Sequence, residues 1–326
     1  MKVIAGIDIG GTKCAITFAQ VEEKGTFRFL DKVKEQTIRD DPQKAIGRFV
    51  EIIGDKCREN PQWELAAIGI SCGGPLDSRK GLILAPPNLP QWDQVDIYTP
   101  LREAFGVPVA MENDANACAL AEWYQGAGVG TENMVFLTFG TGMGAGLILG
   151  GKLYSGTNDM AGEVGHIRLA DEGPLGYGKN GSFEGFCSGG GIANQGREEV
   201  VEAMRRGKKV GFCRDMEDLP NVTAERIAQA LQEGDPCAKK IFAQVARRLG
   251  QGLSILIDIL NPQMIVIGSI YARQEAVLRD TMLNIIRQEA LCQSAKVCKI
   301  CPPALGERIG DYAAITVGLM QLPRKS

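Results

Sequence analysis

The chain has 326 residues, of which 44% are hydrophobic and 23% are charged, and its formal net charge is −3 at pH 7. This length is typical of about two domains of roughly 150 residues each and supplies enough apolar material for a large core. The balance of charge lacks the basic excess typical of proteins that bind nucleic acid or anionic membranes, so the expected partners are small solutes.

The first third of the chain alternates strand and helix patterns. Residues 3–20 predict two apolar strands around a glycine turn, and residues 26–38 predict a third strand. The segment that begins at Asp41-Pro42 has apolar residues at helical spacing and predicts a helix over 41–60. A buried strand, a helix and a strand are then predicted over 65–75, 97–106 and 107–114. This order predicts an α/β fold.

The same organisation continues to the C-terminus. A helix is predicted over 114–128, and "MVFLTFGTGMGAGLILGGKLY" then presents a second glycine-turned hairpin. Ile7, Ile9 and Gly10 of the first hairpin align with Leu137, Phe139 and Gly140 of the second, which indicates two related halves that face one cleft. A long helix that stops at Asn261-Pro262, a strand over 264–269 and a final helix follow. The predicted lobes are residues 1–114 with the C-terminal helix at about 312–326, and residues 115–311.

The cysteines, the first residues and the lengths of the apolar runs indicate where in the cell the protein is expected. The ten cysteines are scattered, and only Cys298 and Cys301 form a C-x-x-C pair, without a second pair to complete a zinc site. No apolar run approaches the roughly 18 residues that span a bilayer, and the chain leads straight into a strand. We therefore expect a cytoplasmic protein without membrane partners.

The two glycine turns predict phosphate binding. Glycine contributes 41 of the residues, and successive backbone N–H groups in such turns form a concavity that favours anionic oxygens. In "DIGGTK" the turn supplies donors, Lys13 supplies a cation, and Asp8 is placed to hold Mg²⁺ through water. A ligand-free β-turn is the alternative for either hairpin alone, and the repetition disfavours it. The P-loop pattern is absent, and the second turn leads into a strand where a dinucleotide fingerprint requires a helix.

Three stretches carry a resemblance to a known family. "GIDIGGTK", "ENDANACALAE" and "FGTGMGAGLILGGKLYSGTNDMAGEVGH" resemble the motifs of the ROK sugar kinases, in the actin-like ATPase superfamily. The resemblance implies a two-lobed, ribonuclease H-like α/β fold with a central cleft. It implies transfer of the γ-phosphoryl group of ATP, with Mg²⁺, to a hexose hydroxyl that is usually on carbon 6. It also implies a homodimer.

The resemblance assigns roles to single residues. Asp114, at a strand-to-helix junction where an N-cap is the alternative, matches the general base for the sugar hydroxyl. The residues that match sugar-binding positions are Gly73, Gly74, Asn88, Asn113, Glu163 and Glu184. The residues that match nucleotide-binding positions are Asp8, Gly10, Gly11, Thr12, Lys13, Gly140, Thr141, Gly142, Gly268 and Ser269. A backbone cap is the alternative for Asn88, an ordinary glycine turn for Gly73 and Gly74, and an exposed surface carboxylate for Glu163 and Glu184.

One stretch departs from the family pattern. Many ROK proteins bind a structural zinc with the histidine of "GEVGH" and three cysteines of a C-x-C-G-x-x-G-C-x-E run. The matching run here is "LGYGKNGSFE", so Leu175, Tyr177 and Ser182 stand at the cysteine positions. We therefore expect no zinc, and we expect His166, the single histidine, to bind a sugar hydroxyl. A hydrogen-bonded, half-buried histidine is the alternative.

The expected function is an ATP-dependent kinase of an aldohexose such as glucose. An N-acetylglucosamine, N-acetylmannosamine or fructose kinase is the alternative within that class. The other class is a ROK transcription regulator or sugar sensor without catalysis. It is disfavoured because Asp8, Lys13 and Asp114 are all present, and because a strand that starts at Val3 leaves no preceding segment for DNA binding.

Overall fold

The computed structural model describes residues 1–22 and 26–323. Its strands are, in chain order, β1 Lys2–Ile9, β2 Lys13–Val21, β3 Phe27–Gln36, β4 Glu64–Cys72, β5 Leu76–Asp77, β6 Leu82–Ile83, β7 Val95–Asp96, β8 Val109–Asn113, β9 Met134–Leu137, β10 Ala145–Leu149, β11 Lys152–Leu153, β12 Leu175–Gly176, β13 Lys179–Asn180, β14 Met264–Ile267 and β15 Lys299–Cys301. Its α-helices are α1 Pro42–Glu59, α2 Tyr98–Phe105, α3 Asp114–Gln125, α4 Phe183–Cys187, α5 Gly189–Arg205, α6 Ala224–Gln232, α7 Pro236–Leu260, α8 Ile270–Glu289, α9 Cys292–Val297 and α10 Ile309–Leu319. Among these described residues, no helix is both long enough and apolar enough to span a membrane.

The elements that were predicted from the sequence are present. The meander is β1 to β3, and the predicted elements between it and the second hairpin are α1, β4, α2, β8 and α3. The Asp41 side chain accepts a hydrogen bond from the N–H of Lys44 and so caps α1 as its Asp-Pro start predicted. Asn261 ends α7 in the left-handed conformation, with φ of 45°. The helices α4, α5, α6, α8 and α9 were not predicted.

The chain forms two compact units. Unit 1 consists of residues Met1–Glu132, Gly146–Ala161 and Pro303–Ser326, and unit 2 of Asn133–Ala145 and Gly162–Pro302. The division into lobes at Asp114 is a different partition and stays a prediction.

A five-stranded sheet forms the centre of unit 1. Its strand order is β3-β2-β1-β4-β8. The strands β1, β2 and β3 are antiparallel neighbours, whereas β4 runs parallel to both β1 and β8. Because β1, β4 and β8 are parallel, the residues that follow them lie at the same edge of the sheet. That edge carries the turn after Ile9, the Gly73-Gly74 pair after Cys72, and Asp114 after Asn113.

The helix α10 covers this sheet at close range. Seven consecutive residues, 313–319, are buried, so this part of the helix is covered by protein on all sides. A Cβ on Gly69 of β4 would lie 2.1 Å from the carbonyl oxygen of Ala314 and 2.2 Å from the nitrogen of Gly318. Only glycine therefore allows this approach, which brings the first turn of α10 next to the end of β1.

Unit 2 is built on three parallel strands in the order β9-β14-β15. All four residues of β14 are buried, as expected for a strand inside a parallel sheet. The glycine turn around Gly140 follows β9, and Gly268-Ser269 follows β14. The parallel arrangement thus brings these two predicted nucleotide-binding segments to one edge.

Candidate active site

The first glycine turn connects β1 to β2 in unit 1. The N–H of Gly10 donates to the carbonyl of Lys13 over 3.1 Å, and the N–H of Thr37 donates to the carbonyl of Thr12 over 3.0 Å. The Thr37 hydroxyl donates to the Gly10 carbonyl over 2.6 Å. Thr12 and Lys13 are exposed, so the turn is fixed from the β3 side while these two side chains face solvent.

Asp8 lies beside this turn among other carboxylates of unit 1. Burial, then the charges of Asp311 and Asp114, raise its pKa from 3.8 to about 6, although Lys32 opposes the shift. Asp311 is itself bound by Lys32 and by the Thr17 hydroxyl, which donates over 3.3 Å. A divalent cation would relieve the repulsion between these carboxylates. Asp8 therefore fits the predicted role as a ligand of hydrated Mg²⁺. Within residues 1–22 and 26–323 no cluster of three or more His, Cys, Asp or Glu side chains is arranged to enclose a metal ion directly.

The junction of β8 and α3 bears on the alternative that Asp114 is an N-cap. The N-cap of α3 is Asn113, whose side-chain oxygen accepts the N–H of Asn116 over 2.7 Å. Asp114 is the first helical residue, and its carboxylate accepts the N–H of Ala115 over 2.8 Å. The N-cap interpretation of Asp114 is therefore wrong. The Asp114 side chain is accessible to solvent, yet the protein that surrounds it disfavours its charged form and raises its pKa.

The predicted sugar-binding residues of unit 1 lie together. A Cβ on Gly73 would lie 3.8 Å from the side-chain nitrogen of Asn88, and a Cβ on Gly74 would lie 4.0 Å from the Cβ of Asn113. A Cβ on Gly11 would lie 2.5 Å from the Cβ of Asn88. Asn88 thus packs against the first glycine turn, with its side chain exposed.

In unit 2 the second glycine turn meets the start of α5. The N–H of Gly189 donates to the carbonyl of Gly140 over 2.7 Å, and the N–H of Gly190 donates to the carbonyl of Thr141 over 3.3 Å. The Ser188 side chain caps α5 by accepting the N–H of Gly191. The Ser188 cap was missed from the sequence, although serine is a common N-cap residue and can signal the start of a helix.

Ser269 adjoins the same turn. It adopts φ of 53°, which is rare for a residue with a side chain. A Cβ on Gly140 would lie 3.7 Å from its hydroxyl, and a guanidinium nitrogen of Arg273 lies 3.3 Å from the same atom. The N–H of Gly268 donates to the carbonyl of Leu137 over 3.0 Å. Arg273, which the sequence interpretation did not name, therefore adjoins the predicted nucleotide-binding segments.

Glu184 stands in α4 and reaches the second turn. Its Oε2 accepts the N–H of Met143 over 2.9 Å. A Cβ on Gly165 would lie 2.4 Å from the carbonyl oxygen of Met143 and 3.1 Å from the Cβ of Glu184. Gly165 belongs to the 3₁₀ turn Val164–His166, which Glu163 precedes. The helix α4 and the 3₁₀ turn, which carry predicted sugar-binding residues of unit 2, therefore both contact Met143, the residue that directly follows the predicted phosphate-binding residues 140–142.

A hairpin holds His166. The rings of His166 and Tyr177 make a T-shaped contact with centroids 5.2 Å apart and planes at 77°. The ammonium group of Lys179 donates to the His166 carbonyl over 2.7 Å. Ser182, at a position where the resemblance has a cysteine, is buried and caps α4 by accepting the N–H of Gly185 over 3.1 Å. Leu175 and Tyr177, the other two residues at cysteine positions of the ROK pattern, are exposed.

Comparison with known proteins identifies the family. The model of the ROK family matches residues 4–316. The chain belongs to the ROK family. A glucokinase of Streptomyces coelicolor is 32% identical over 270 residues, which are 82% of each chain. A xylose repressor of Caldicellulosiruptor bescii is 27% identical over 98% of this chain and 79% of its own.

Solved structures of ROK proteins share the fold. A ROK hexokinase from Thermus thermophilus matches with a TM-score of 0.79 and 30% identity over 98% of both chains. A ROK family glucokinase from Streptomyces griseus, in complex with glucose and AMPPNP, matches with a TM-score of 0.75 and 27% identity over 98% of this chain and 99% of its own. The predicted α/β, actin-like fold class is therefore confirmed.

Proposed function

We propose that this ROK protein is an ATP-dependent hexose kinase that phosphorylates the 6-hydroxyl of an aldohexose, with glucose as the first candidate. The observation that supports it most is the carboxyl edge of the unit 1 sheet. That edge carries a carboxylate with a raised pKa, Asp114, beside Asp8 and a glycine turn. A general base, a cation ligand and phosphate donors are the parts that phosphoryl transfer to an alcohol requires.

In the proposed reaction, Asp114 accepts the proton of the sugar hydroxyl as that oxygen forms a bond to the γ-phosphorus of ATP. The bond from the γ-phosphorus to the bridging oxygen breaks, and ADP leaves with the electron pair. Asp8 would hold Mg²⁺ through water, and Mg²⁺ supplies neutralisation of phosphate charge. The turn from Gly10 to Thr12 orients the phosphates through its donors, and Lys13 adds a positive charge.

The remaining assignments follow the family resemblance. We assign the sugar hydroxyls to Asn88, Asn113, Glu163, His166 and Glu184, with Gly73 and Gly74 providing close backbone approach. We assign the phosphates to Gly140, Thr141 and Gly142 and the adenosine to Gly268 and Ser269. The raised pKa of Asp114 makes it a stronger base than an ordinary aspartate, which supports its proposed role.

The test is an assay of ADP release with glucose, fructose, N-acetylglucosamine and N-acetylmannosamine. Asp114→Asn is expected to lower kcat by about 10²–10⁴-fold, because an amide accepts no proton, with nucleotide affinity nearly unchanged. Asp280→Asn, at an exposed position of α8, is the matched control and is expected to keep parental kcat. Asp114→Asn within about threefold of the parent would contradict the assignment of the base.

A regulator without catalysis is the second candidate, because the xylose repressor matches nearly the whole chain. A protein that binds a sugar but releases no ADP with any member of the panel would support that candidate and reject the kinase. If an N-acetylhexosamine or fructose gives a higher kcat/KM than glucose, the chain is a kinase of that sugar.

We also propose a cytoplasmic homodimer, in line with the family resemblance. The chain mass is 35.1 kDa. Sedimentation across the micromolar range is expected to show twice that mass, and a monomer at every concentration would reject the dimer.

A further inference from the structure

One carboxylate of unit 2 that the proposed function assigns to the sugar contacts the turn that it assigns to the phosphates. Glu184, assigned to the sugar, accepts the N–H of Met143 over 2.9 Å. Met143 directly follows Gly142, which is assigned to the phosphates. A Cβ on Gly142 would lie 3.0 Å from the same oxygen, Oε2, so the turn and the carboxylate are in close contact.

The surroundings of this contact are closely packed. The N–H of Ala145 donates to the carbonyl of Gly162 over 2.7 Å, and a Cβ on Gly162 would lie only 1.9 Å from the carbonyl oxygen of Ala145. The segment that carries Glu163 and His166 therefore lies directly on the segment that continues from the turn. Packed atoms of this kind transmit a displacement because the interior has little free volume.

The helix α4 fixes the position of Glu184. The helix α4 is capped by the buried Ser182, and its residues Phe183 and Phe186 are buried. The carboxylate is thus presented by a fixed helix, whereas the glycine turn that it holds is exposed at Thr141 and Gly142. A hydrogen bond from an N–H to a carboxylate is stronger than one to a neutral acceptor. The bond from the Met143 N–H to Glu184 is therefore a charge-assisted tie between the turn and α4.

We propose that Glu184 couples the two substrates, so that sugar and nucleotide bind with positive cooperativity. This inference rests on the proposed function. A sugar hydroxyl that donates to Glu184 fixes the carboxylate, and the carboxylate fixes the turn through Met143. A nucleotide that then binds meets a turn that is already ordered, and so loses less conformational entropy.

The test compares two alanine substitutions in the same turn. Gly142→Ala presses a methyl group against Glu184 Oε2, whereas the Cβ of Gly140→Ala meets only the Ser269 hydroxyl at an ordinary 3.7 Å. For each protein the Kd of AMPPNP is measured by calorimetry with and without the sugar that turns over best. The readout is the Kd without sugar divided by the Kd with sugar. A loss of nucleotide affinity that is the same in both conditions cancels in this ratio.

We expect a ratio of about 5–10 in the parent and in Gly140→Ala, and a ratio near 1 in Gly142→Ala. Linkage requires the same ratio for sugar Kd with and without AMPPNP. Glu184→Gln, which keeps an acceptor oxygen without the charge, is expected to lower the ratio as well and serves as the second variant if Gly142→Ala unfolds.

Two outcomes overturn the inference alone: a parental ratio of 1 in a protein that phosphorylates a sugar, or equal ratios in the two alanine variants. A protein that phosphorylates no member of the sugar panel rejects the proposed function, and the inference with it.

Discussion

Asp8 occupies surroundings that disfavour its own charge. Burial and the neighbouring Asp311 and Asp114 raise its pKa from 3.8 to about 6. Such a group costs folding free energy when it is ionised, and the proposed role in holding Mg²⁺ would account for its presence. In the folded protein without a cation, the shift amounts to on the order of 3 kcal/mol.

This shift predicts a pH-dependent effect of Asp8→Asn on stability. The folded pKa is above the unfolded one, so the parent loses stability as the pH rises from about 4 to about 6. Without divalent cations, Asp8→Asn is expected to be more stable than the parent by up to about 3 kcal/mol at pH 7.5, with little difference at pH 4. Urea unfolding at both pH values checks this. A variant less stable than the parent at pH 7.5 would show that the carboxylate stabilises the fold.

The single histidine gives a direct probe of Tyr177. Tyr177→Ser removes the ring that contacts His166, so the imidazole resonance is expected to shift and the sugar KM to rise several-fold with a smaller change in kcat. Tyr177→Phe keeps the ring and is expected to match the parent in both measurements. Proton NMR needs no assignment because no other histidine is present. An unshifted resonance in Tyr177→Ser would contradict the positioning of His166 by this ring.

The junction at Asn113 and Asp114 shows how far residue-level prediction reached. The motif placed a carboxylate at the end of a strand, and β8 and α3 do meet there. Which of two adjacent polar residues caps the helix depends on one φ/ψ pair, and either side chain is suited to the cap. The cap is Asn113, and that leaves Asp114 available for the proposed proton transfer.

At the scale of elements, the contact of α10 with the sheet depends on Gly69. The Cβ of Gly69→Ala would overlap backbone atoms of α10, which lie 2.1–2.2 Å away. We expect a loss of more than about 3 kcal/mol, measured by urea unfolding, or failure to fold. Gly47→Ala in α1, where a Cβ has no neighbour within 4 Å, is the matched control. It is expected to be neutral or to stabilise by about 0.5–1 kcal/mol. Equal effects of the two substitutions would refute the close approach.

Elements with strong local signals were predictable, and elements set by tertiary contacts were not. The helix α1 has an Asp-Pro start and regular apolar spacing, so its sequence alone indicates it. The helix α5 begins with three glycines after Ser188, a composition that local propensity assigns to a loop. Bonds from Gly189 and Gly190 to the second glycine turn support that start. A single sequence does not reveal such a contact.

At the scale of the whole chain, the predicted duplication is visible as a glycine turn that follows a strand in each unit. In unit 1 a glycine turn follows β1 and packs against Asn88, and in unit 2 a glycine turn follows β9 and packs against Glu184. Each turn thus lies against a residue that the resemblance assigns to the sugar. The internal repeat therefore predicted the recurrence of the turn, while the side chains behind each turn emerged only from the fold.

The hairpin of β12 and β13 bears on whether the entire protein needs a metal for its stability. The hairpin of β12 and β13 turns through Tyr177 and Gly178, both at positive φ, as two-residue hairpin turns require. It is tied down by Lys179 on the His166 carbonyl and by Arg168 on the Asn180 carbonyl, each over 2.7 Å.

We expect these ties to hold the segment without a metal, in the place of the zinc that three thiolates and a histidine would bind. Elemental analysis is therefore expected to find less than about 0.1 zinc per chain, and a chelator is expected to leave Tm within about 1 °C. Lys179→Met, which removes one tie, is expected to lower Tm by a few degrees with and without chelator alike. One zinc per chain, or a Tm that falls only when chelator is added, would show that a metal holds this segment.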